Sequence, residues 1–343
     1  MASYIDISKI TGLSLGTISN VLQGKSSVKP VNRDKVFSAM EKLGYRINSQ
    51  ARALASGRQN LYGLIVSDLN KIPEESFLMP LEKYAETDNS LVVLATSEND
   101  PFREKKNCES LLSHKVKVVF IYFHFLENKE YFQKLSETET TPIIFLGRYL
   151  ENARFPYVAV DNQYAAFQMV DYVYLKGHRE LLYLEIEESA MLSANKERRE
   201  GVKKKCSALG MDFSLLSLPM DKNDAHVGFL IGEKLILSNF LPKLVFPRDD
   251  DMAVGFYSAC TKYGVRVPED VSIMSFGKIY PDNITPKVLS TFDRQLDRLM
   301  LRAISLFEKI VEANRNGFDL DNQSKKIYVK GKLVKGDTVF DLN

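Results

Sequence analysis

The sequence predicts two unlike parts, a small all-α helix-turn-helix head and an α/β body. Three observations predict this. The chain has 343 residues, room for two or three domains at about 100–200 residues each. Apolar residues recur at helical spacing through positions 7–43, and after position 60 short apolar runs alternate with amphipathic stretches. Charge is also divided. The whole chain carries only +2, but residues 1–60 hold nine basic and three acidic side chains, leaving −4 for the remaining 283. A basic head on a mildly acidic body suggests contact with a polyanion through the head.

The head elements follow from their punctuation. Ser3 and Asp6 have capping-box spacing for a first helix over about 4–11, with Ile7 and Ile10 on its apolar side. Gly12 stands where a helix end needs positive φ. Ser14 is a good N-cap for a second helix over 15–22, with Ile18, Val21 and Leu22 inward. Leu15, Gly16, Thr17, Ser19 and Asn20 remain outside. A third helix is expected over 33–43, with Val36, Phe37, Met40 and Leu43 inward, ended by Gly44. Two short helices joined by a glycine turn form a helix-turn-helix. The exposed hydroxyls and amides at the start of its second helix suit phosphate oxygens and base edges.

In the body, candidate strands are 61–67, 91–97, 116–122, 143–146, 157–160, 181–186, 244–246 and 271–276. Helical patterns between them include 102–114, 164–176, 195–209, 226–238 and 252–263. Such alternation predicts parallel sheets covered on both faces. No G-x-G-x-x-G follows the first strand and no phosphate-loop motif occurs, which speaks against a nucleotide enzyme. No ordered Ser/His/Asp set stands out, so catalysis is not expected. The histidines 114, 124, 178 and 226 lack ligand spacing, so no metal is expected. Cys108, Cys206 and Cys260 lie far apart, which excludes a disulfide scaffold and fits a reducing compartment. No cofactor is expected. The start of the chain lacks a secretory signal, and no apolar run approaches a membrane span, so a cytoplasmic protein is expected.

Thr11-Gly12-Leu13-Ser14, then Thr17-Ile18-Ser19-Asn20-Val21-Leu22-Gln23-Gly24, resembles the signature of the lactose/galactose repressor (LacI/GalR) family of transcriptional regulators. Tyr45 to Leu54 is similar to that family's hinge. Further landmarks keep family order: Val160-Asp161-Asn162, Lys176-Gly177-His178-Arg179, Arg198-Arg199-Glu200-Gly201, Asp250-Asp251-Met252-Ala253-Val254-Gly255, Val267-Pro268-Glu269-Asp270-Val271, and Val334-Lys335-Gly336-Asp337-Thr338. The match runs nearly end to end. It departs at Ile47, where proline is usual, and at Gln23, where asparagine is usual.

The resemblance implies a lambda-repressor-like head over 1–45, a hinge over 46–60, and a periplasmic-binding-protein-like (type I) effector domain over 61–340. Its two subdomains would be 61–160 plus 291–320, and 161–290 plus 321–340. The implied DNA contacts are Ser14, Leu15, Gly16, Thr17, Ser19, Asn20 and Gln23 in the head. Asn48, Ala51, Arg52 and Leu54 are the implied contacts in the hinge, with Leu54 a wedge in the minor groove. The implied effector cleft holds Asp68, Tyr122, Arg148, Asp161, Arg198, Asp249, Phe276 and Lys278. Gly147 and Gly277 replace two family carboxylates, which with Lys278 shifts the site toward an anionic or phosphorylated ligand.

The expected partners are double-stranded DNA with a pseudo-palindromic operator, a sugar or sugar phosphate as effector, and a second copy of the chain. A homodimer without a tail-mediated tetramer is expected. The same DNA-binding role with a protein partner or no small effector is the alternative, and a stand-alone solute-binding protein is a further one.

Overall fold

The computed structural model of the chain describes residues 3–22, 28–45, 59–68, 72–123, 125–151, 154–187, 190–219 and 223–343. It divides into two compact units, 1–59 and 60–343. Among the described residues no helix is long and apolar enough to cross a membrane.

In the first unit α1 (Tyr4–Thr11), α2 (Leu15–Leu22) and α3 (Pro30–Leu43) enclose one small core. The capping box forms: Ser3 Oγ accepts the Asp6 amide at 3.4 Å, and the Asp6 carboxylate accepts the Ser3 amide at 2.9 Å. Gly12 takes φ 68° and donates its amide to Ser8 O at 2.8 Å, a left-handed cap that disfavours a Cβ. Ser8 Oγ donates to Leu13 O at 2.7 Å and braces the turn. Ile7, Ile18, Val21 and Val36 fill the core.

The third helix starts at Pro30 rather than Arg33, because a proline's fixed φ and missing amide suit a first helical turn. Phe37 lies outside, 48% exposed, and Ala39 takes the inner place. From Val36 the helical period returns inward at Ala39 and Met40, whereas Phe37 is rotated by about 100°. Ile10 is also exposed, leaving Ile7 as the buried residue of α1.

The second unit begins with β1 (Leu61–Val66), α4 (Ile72–Thr87), β2 (Leu91–Thr96), α5 (Pro101–Ser113), β3 (Val119–Ile121), α6 (Lys129–Thr138), β4 (Ile143–Gly147) and β5 (Tyr157–Val160). Next come α7 (Asn162–Leu175), β6 (Glu180–Ile186), α8 (Ser193–Leu209), β7 (Asp212–Leu218), α9 (Asp224–Leu237), β8 (Leu244–Pro247), α10 (Asp250–Lys262) and β9 (Ser272–Ile273). The chain closes with β10 (Thr291–Asp293), α11 (Leu296–Arg315), β11 (Lys326–Val329) and β12 (Lys332–Val334).

Two parallel sheets result. The first has the order β11-β5-β4-β3-β1-β2 and the second β7-β6-β8-β9. Their central strands are largely apolar because helices cover both faces, and the one buried carboxylate of β6, Glu185, is paired with Arg199. Lys326–Val329 pairs in parallel with Tyr157–Val160, so this segment falls in the first subdomain and not, as expected, in the second. A two-stranded antiparallel ribbon, β10–β12, lies among the connections between the sheets.

The helices α9 and α10 cross at unusually close range. A Cβ on Gly255 would stand 1.8 Å from Ala225 O, and one on Gly228 would stand 2.1 Å from Met252 O. Only glycine at both places lets the two backbones touch.

Candidate functional site

The head presents the outer side of α2. Ser14, Leu15 and Gly16 are exposed, and Thr17, Ser19 and Asn20 are half-buried. Ser14 Oγ accepts the Thr17 amide at 3.2 Å and lies 2.9 Å from Thr17 Oγ1, so Ser14 is the cap that starts the helix. The first-turn amides of α2 and its hydroxyls share one exposed end, an arrangement suited to phosphate oxygens. Gln23, Asn48, Ala51, Arg52 and Leu54 lie outside the described residues.

In the second unit the strand ends of the two sheets supply the cleft residues, as expected of open α/β sheets. Tyr122 and Arg148 come together after β3 and β4. The Arg148 guanidinium sits 4.7 Å from the centre of the Tyr122 ring and donates to Phe123 O at 3.4 Å. A Cβ on Gly147 would meet that ring at 2.8 Å, so the residue that lacks a carboxylate also makes room for Tyr122. Asp68 follows β1, half-exposed. Asp161 caps α7, accepting the Tyr164 amide at 2.9 Å, and lines a groove with Glu197, Glu200 and Lys204.

Arg198 is buried on α8. Its guanidinium lies 3.5 Å above the Phe276 ring, and its Nη1 donates to Arg248 O. Burial, with repulsion from Arg294 and Arg248, pulls it down to about 10. Phe276 stacks in turn on Phe292, with centroids 5.6 Å apart and planes within 5°. Lys278 pairs with Asp282 and lines a small pocket with Asp250 and Thr291. Its charge is answered locally by the Asp282 carboxylate.

The two sheets are stitched at one edge. The Tyr149 amide donates to Ser193 Oγ at 3.0 Å, and the Tyr149 hydroxyl donates to Glu197. Asn162 Nδ2 holds the other oxygen of that carboxylate at 2.9 Å. Leu192, just before α8, is buried in the cluster of Phe123, Phe145 and Tyr157.

The chain matches two family models. One, bacterial regulatory proteins of the lacI family, covers residues 5–48, and the other, the periplasmic binding protein-like domain, covers 170–339. The chain thus carries a lacI-family domain at its head and a periplasmic-binding-protein-like domain in its second unit. The regulator AscG of Escherichia coli K12 is 27% identical over 99% of this chain and 98% of its own. Catabolite control protein A of Staphylococcus epidermidis is 28% identical over 79% of this chain and 80% of its own. The fold matches that of the lac repressor dimer bound to operator and an anti-inducer, with a TM-score of 0.82 and 19% identity over 99% of both chains. LacI-family proteins are regulators of transcription and not enzymes.

Residues that sequence reasoning passed over complete the site. Arg248 (buried) donates from Nη2 to Asp224 at 2.6 Å, and its Nε lies 3.0 Å from Asp249. Carboxylate oxygens of Asp224, Asp249 and Asp251 lie within 4.8 Å of one another, and the Arg248 guanidinium is the cation beside them. Asp250, fully buried, accepts from Ser275 Oγ, from Thr291 Oγ1 at 2.7 Å and from the Ile279 amide at 3.0 Å. A Cβ on Gly277 would come within 3.1 Å of that carboxylate, so a larger residue there competes with Asp250 for space. The run Arg248-Asp249-Asp250-Asp251 at a strand end was the available signal. Arg294 gave none beyond its place before a helix.

Asp249 caps α10 by accepting the Met252 amide at 3.0 Å. Burial, opposed by Arg248 and reinforced by the charges of Asp224 and Asp251, raises its carboxyl to about 7. The folded chain then binds a proton that the unfolded chain releases between about pH 4 and 7, so this group's contribution to stability falls as pH rises through that window. Asparagine caps a helix equally well. Thermal unfolding of Asp249→Asn should therefore show a flatter decline of Tm across that window than the parent; a parallel decline would refute the assignment.

Proposed function

We propose that this chain is a cytoplasmic, homodimeric transcription factor, a repressor of sugar or carbohydrate metabolism genes. Under this reading it binds a pseudo-palindromic operator through the outer face of α2 and releases or tightens on it when a sugar or sugar phosphate enters the cleft between the two sheets. The observation that carries the proposal is the helix-turn-helix unit, with its exposed polar α2, in one chain with a two-sheet α/β unit. Ser14, Thr17 and Ser19 would meet phosphates, and Leu15, Gly16 and Asn20 would meet base edges. Gln23, Asn48, Ala51, Arg52 and Leu54 extend this contact by resemblance to the family. Tyr122, Arg148, Arg198, Asp249 and Phe276, with Asp68 and Asp161, are the proposed effector contacts. Two heads on one duplex require twofold symmetry.

The test starts from operator sequences selected out of random duplexes, followed by mobility shifts with the full chain. Affinity should fall about a thousandfold between 50 and 200 mM salt, the order set by several released counterions. Leu54→Ala should lower affinity strongly and leave the unfolding curve of the second unit unchanged. Failure to enrich any sequence would reject the regulator reading, and unchanged affinity in the Leu54 variant would reject the wedge.

A further inference from the structure

Arg198 and Arg294 converge on one aromatic ring. Arg198 is about 3.5 Å from the Phe276 centroid and Arg294 is 6.0 Å from it. One face of that ring is taken by Phe292. Neither guanidinium makes an ion pair among the described residues, and the Nε of each is buried without a hydrogen-bond partner. Arg198 is 96% buried, at 4% exposure. A buried guanidinium that lacks a carboxylate is costly unless something else supplies the negative charge.

The nearest candidates among the protein's own anions are committed elsewhere. Asp249 lies against Arg248 and caps α10. Asp250 is held by Ser275, Thr291 and the Ile279 amide. The Asp293 carboxylate accepts the Gln295 amide at 2.8 Å. Arg294 also stands immediately before α11, a 20-residue helix whose N-cap, Gln295, gives its first-turn amides no side-chain bond. An oxyanion beside Arg294 would therefore meet a second source of positive potential.

We propose that the pair Arg198 and Arg294, set about Phe276, is a binding subsite for the phosphate of a phosphate ester. This deepens the effector reading above and rests on it. It also separates the two guanidiniums by origin. Arg198 belongs to a helix packed on the second sheet, and Arg294 belongs to the connection that leads into α11 behind the first. A phosphate bridging both would tie the second sheet to that connection. The guanidinium fork suits oxyanions in a way that a neutral hydroxyl does not exploit. Repulsion between the two arginines, part of what depresses Arg198, would be relieved when the anion enters.

The experiment uses the full chain and inorganic phosphate as probe. Thermal unfolding is followed against phosphate concentration, with sodium chloride holding ionic strength constant. The parent should show a saturable rise in Tm. Arg294→Gln should fold normally, because Arg294 is only half-buried, and should bind phosphate about tenfold to a hundredfold more weakly, the range for a lost charge-assisted bond. Arg294→Lys should recover part of that loss. Equal saturable shifts in the parent and Arg294→Gln, or no saturable shift in the parent, would overturn the subsite.

Glucose and glucose 6-phosphate form the second arm. Tighter binding of the ester than of inorganic phosphate assigns the anion to an ester. Equal binding of the two assigns the subsite to free phosphate and overturns the ester. Operator binding then separates this proposal from the one beneath it. A neutral sugar that changes operator affinity, together with phosphate binding that is the same in parent and Arg294→Gln, would keep the effector reading and remove the phosphate subsite. Saturable, Arg294-dependent phosphate binding supports the subsite even when operator affinity does not respond, and in that case only the effector reading falls.

Discussion

Arg248→Met should destabilise the second unit by about 3–5 kcal/mol at neutral pH, the usual result of removing one partner from a buried ion pair. Tm should fall on the order of 10 °C. Methionine matches the arginine stem in length and shape but leaves Asp224 and Asp249 without their shared cation. Asp224 is 5% exposed, so water cannot take the guanidinium's place. The carboxylates of Asp224, Asp249 and Asp251 would then repel one another across less than 4.8 Å. Protonation removes that repulsion, so the deficit should shrink as pH falls toward 4. A second change, Asp224→Leu in the same background, should restore much of the lost stability, since it removes a buried charge whose ion pair with Arg248 is gone. Calorimetry across pH reads both effects, and a pH-independent deficit would count against the ionic explanation.

Gly255→Ala should cost about 2–3 kcal/mol or more. The new methyl would sit 1.8 Å from Ala225 O and 2.9 Å from the Phe229 amide. Both obstacles are backbone, so no side chain can rotate away. The helices must separate, and separation opens the cluster of Val227, Ile231, Met252 and Phe256 between them. Urea unfolding measures the loss. Gly16→Ala is the natural control, because a Cβ there finds nothing nearer than Ser14 Oγ at 4.0 Å. That change should be neutral or mildly stabilising, as alanine favours a helix over glycine by about 1 kcal/mol. A Gly255→Ala chain as stable as the control would show that α9 and α10 are not held by backbone contact.

The sequence made the most strongly patterned elements plain. Ser3, Asp6, Gly12 and Ser14 announced α1, the turn and α2, because capping and left-handed backbone demand particular residue types. The central strands showed as apolar runs because both of their faces are covered. β7 escaped notice for the opposite reason. Asp212-Phe213-Ser214-Leu215-Leu216-Ser217-Leu218 lies at a sheet edge and is only partly buried, so its pattern is diluted. α4 was masked by Pro73 and Pro80, which read as breakers although Pro80 lies within the helix.

The cleft was less legible than the head. A helix-turn-helix is written in consecutive residues, so local pattern suffices. Arg198, Phe276 and Arg294 meet from three separate stretches of chain, and their pairing is a product of topology. Lys278 shows the same limit from the other side. Its charge pointed to the ligand in the linear reading, but the fold places Asp282 one helical turn's spacing away and pairs the two.

The edge strand β11 has a consequence for biosynthesis. A chain emerging from the ribosome folds its N-terminal parts first. The head is then complete after α3, long before the rest. The four strands of the second sheet are contiguous in the chain, from Glu180 to Ile273, and can assemble as soon as that stretch is free. The first sheet begins earlier but gains its last strand only with Lys326–Val329. Until then Tyr157–Val160 presents an unpaired strand edge, and such an edge is a template for neighbouring chains. Translation halted before that point would release a polypeptide with its DNA-reading head folded and its first sheet unfinished. Such a fragment would compete for operator sites without a completed effector unit.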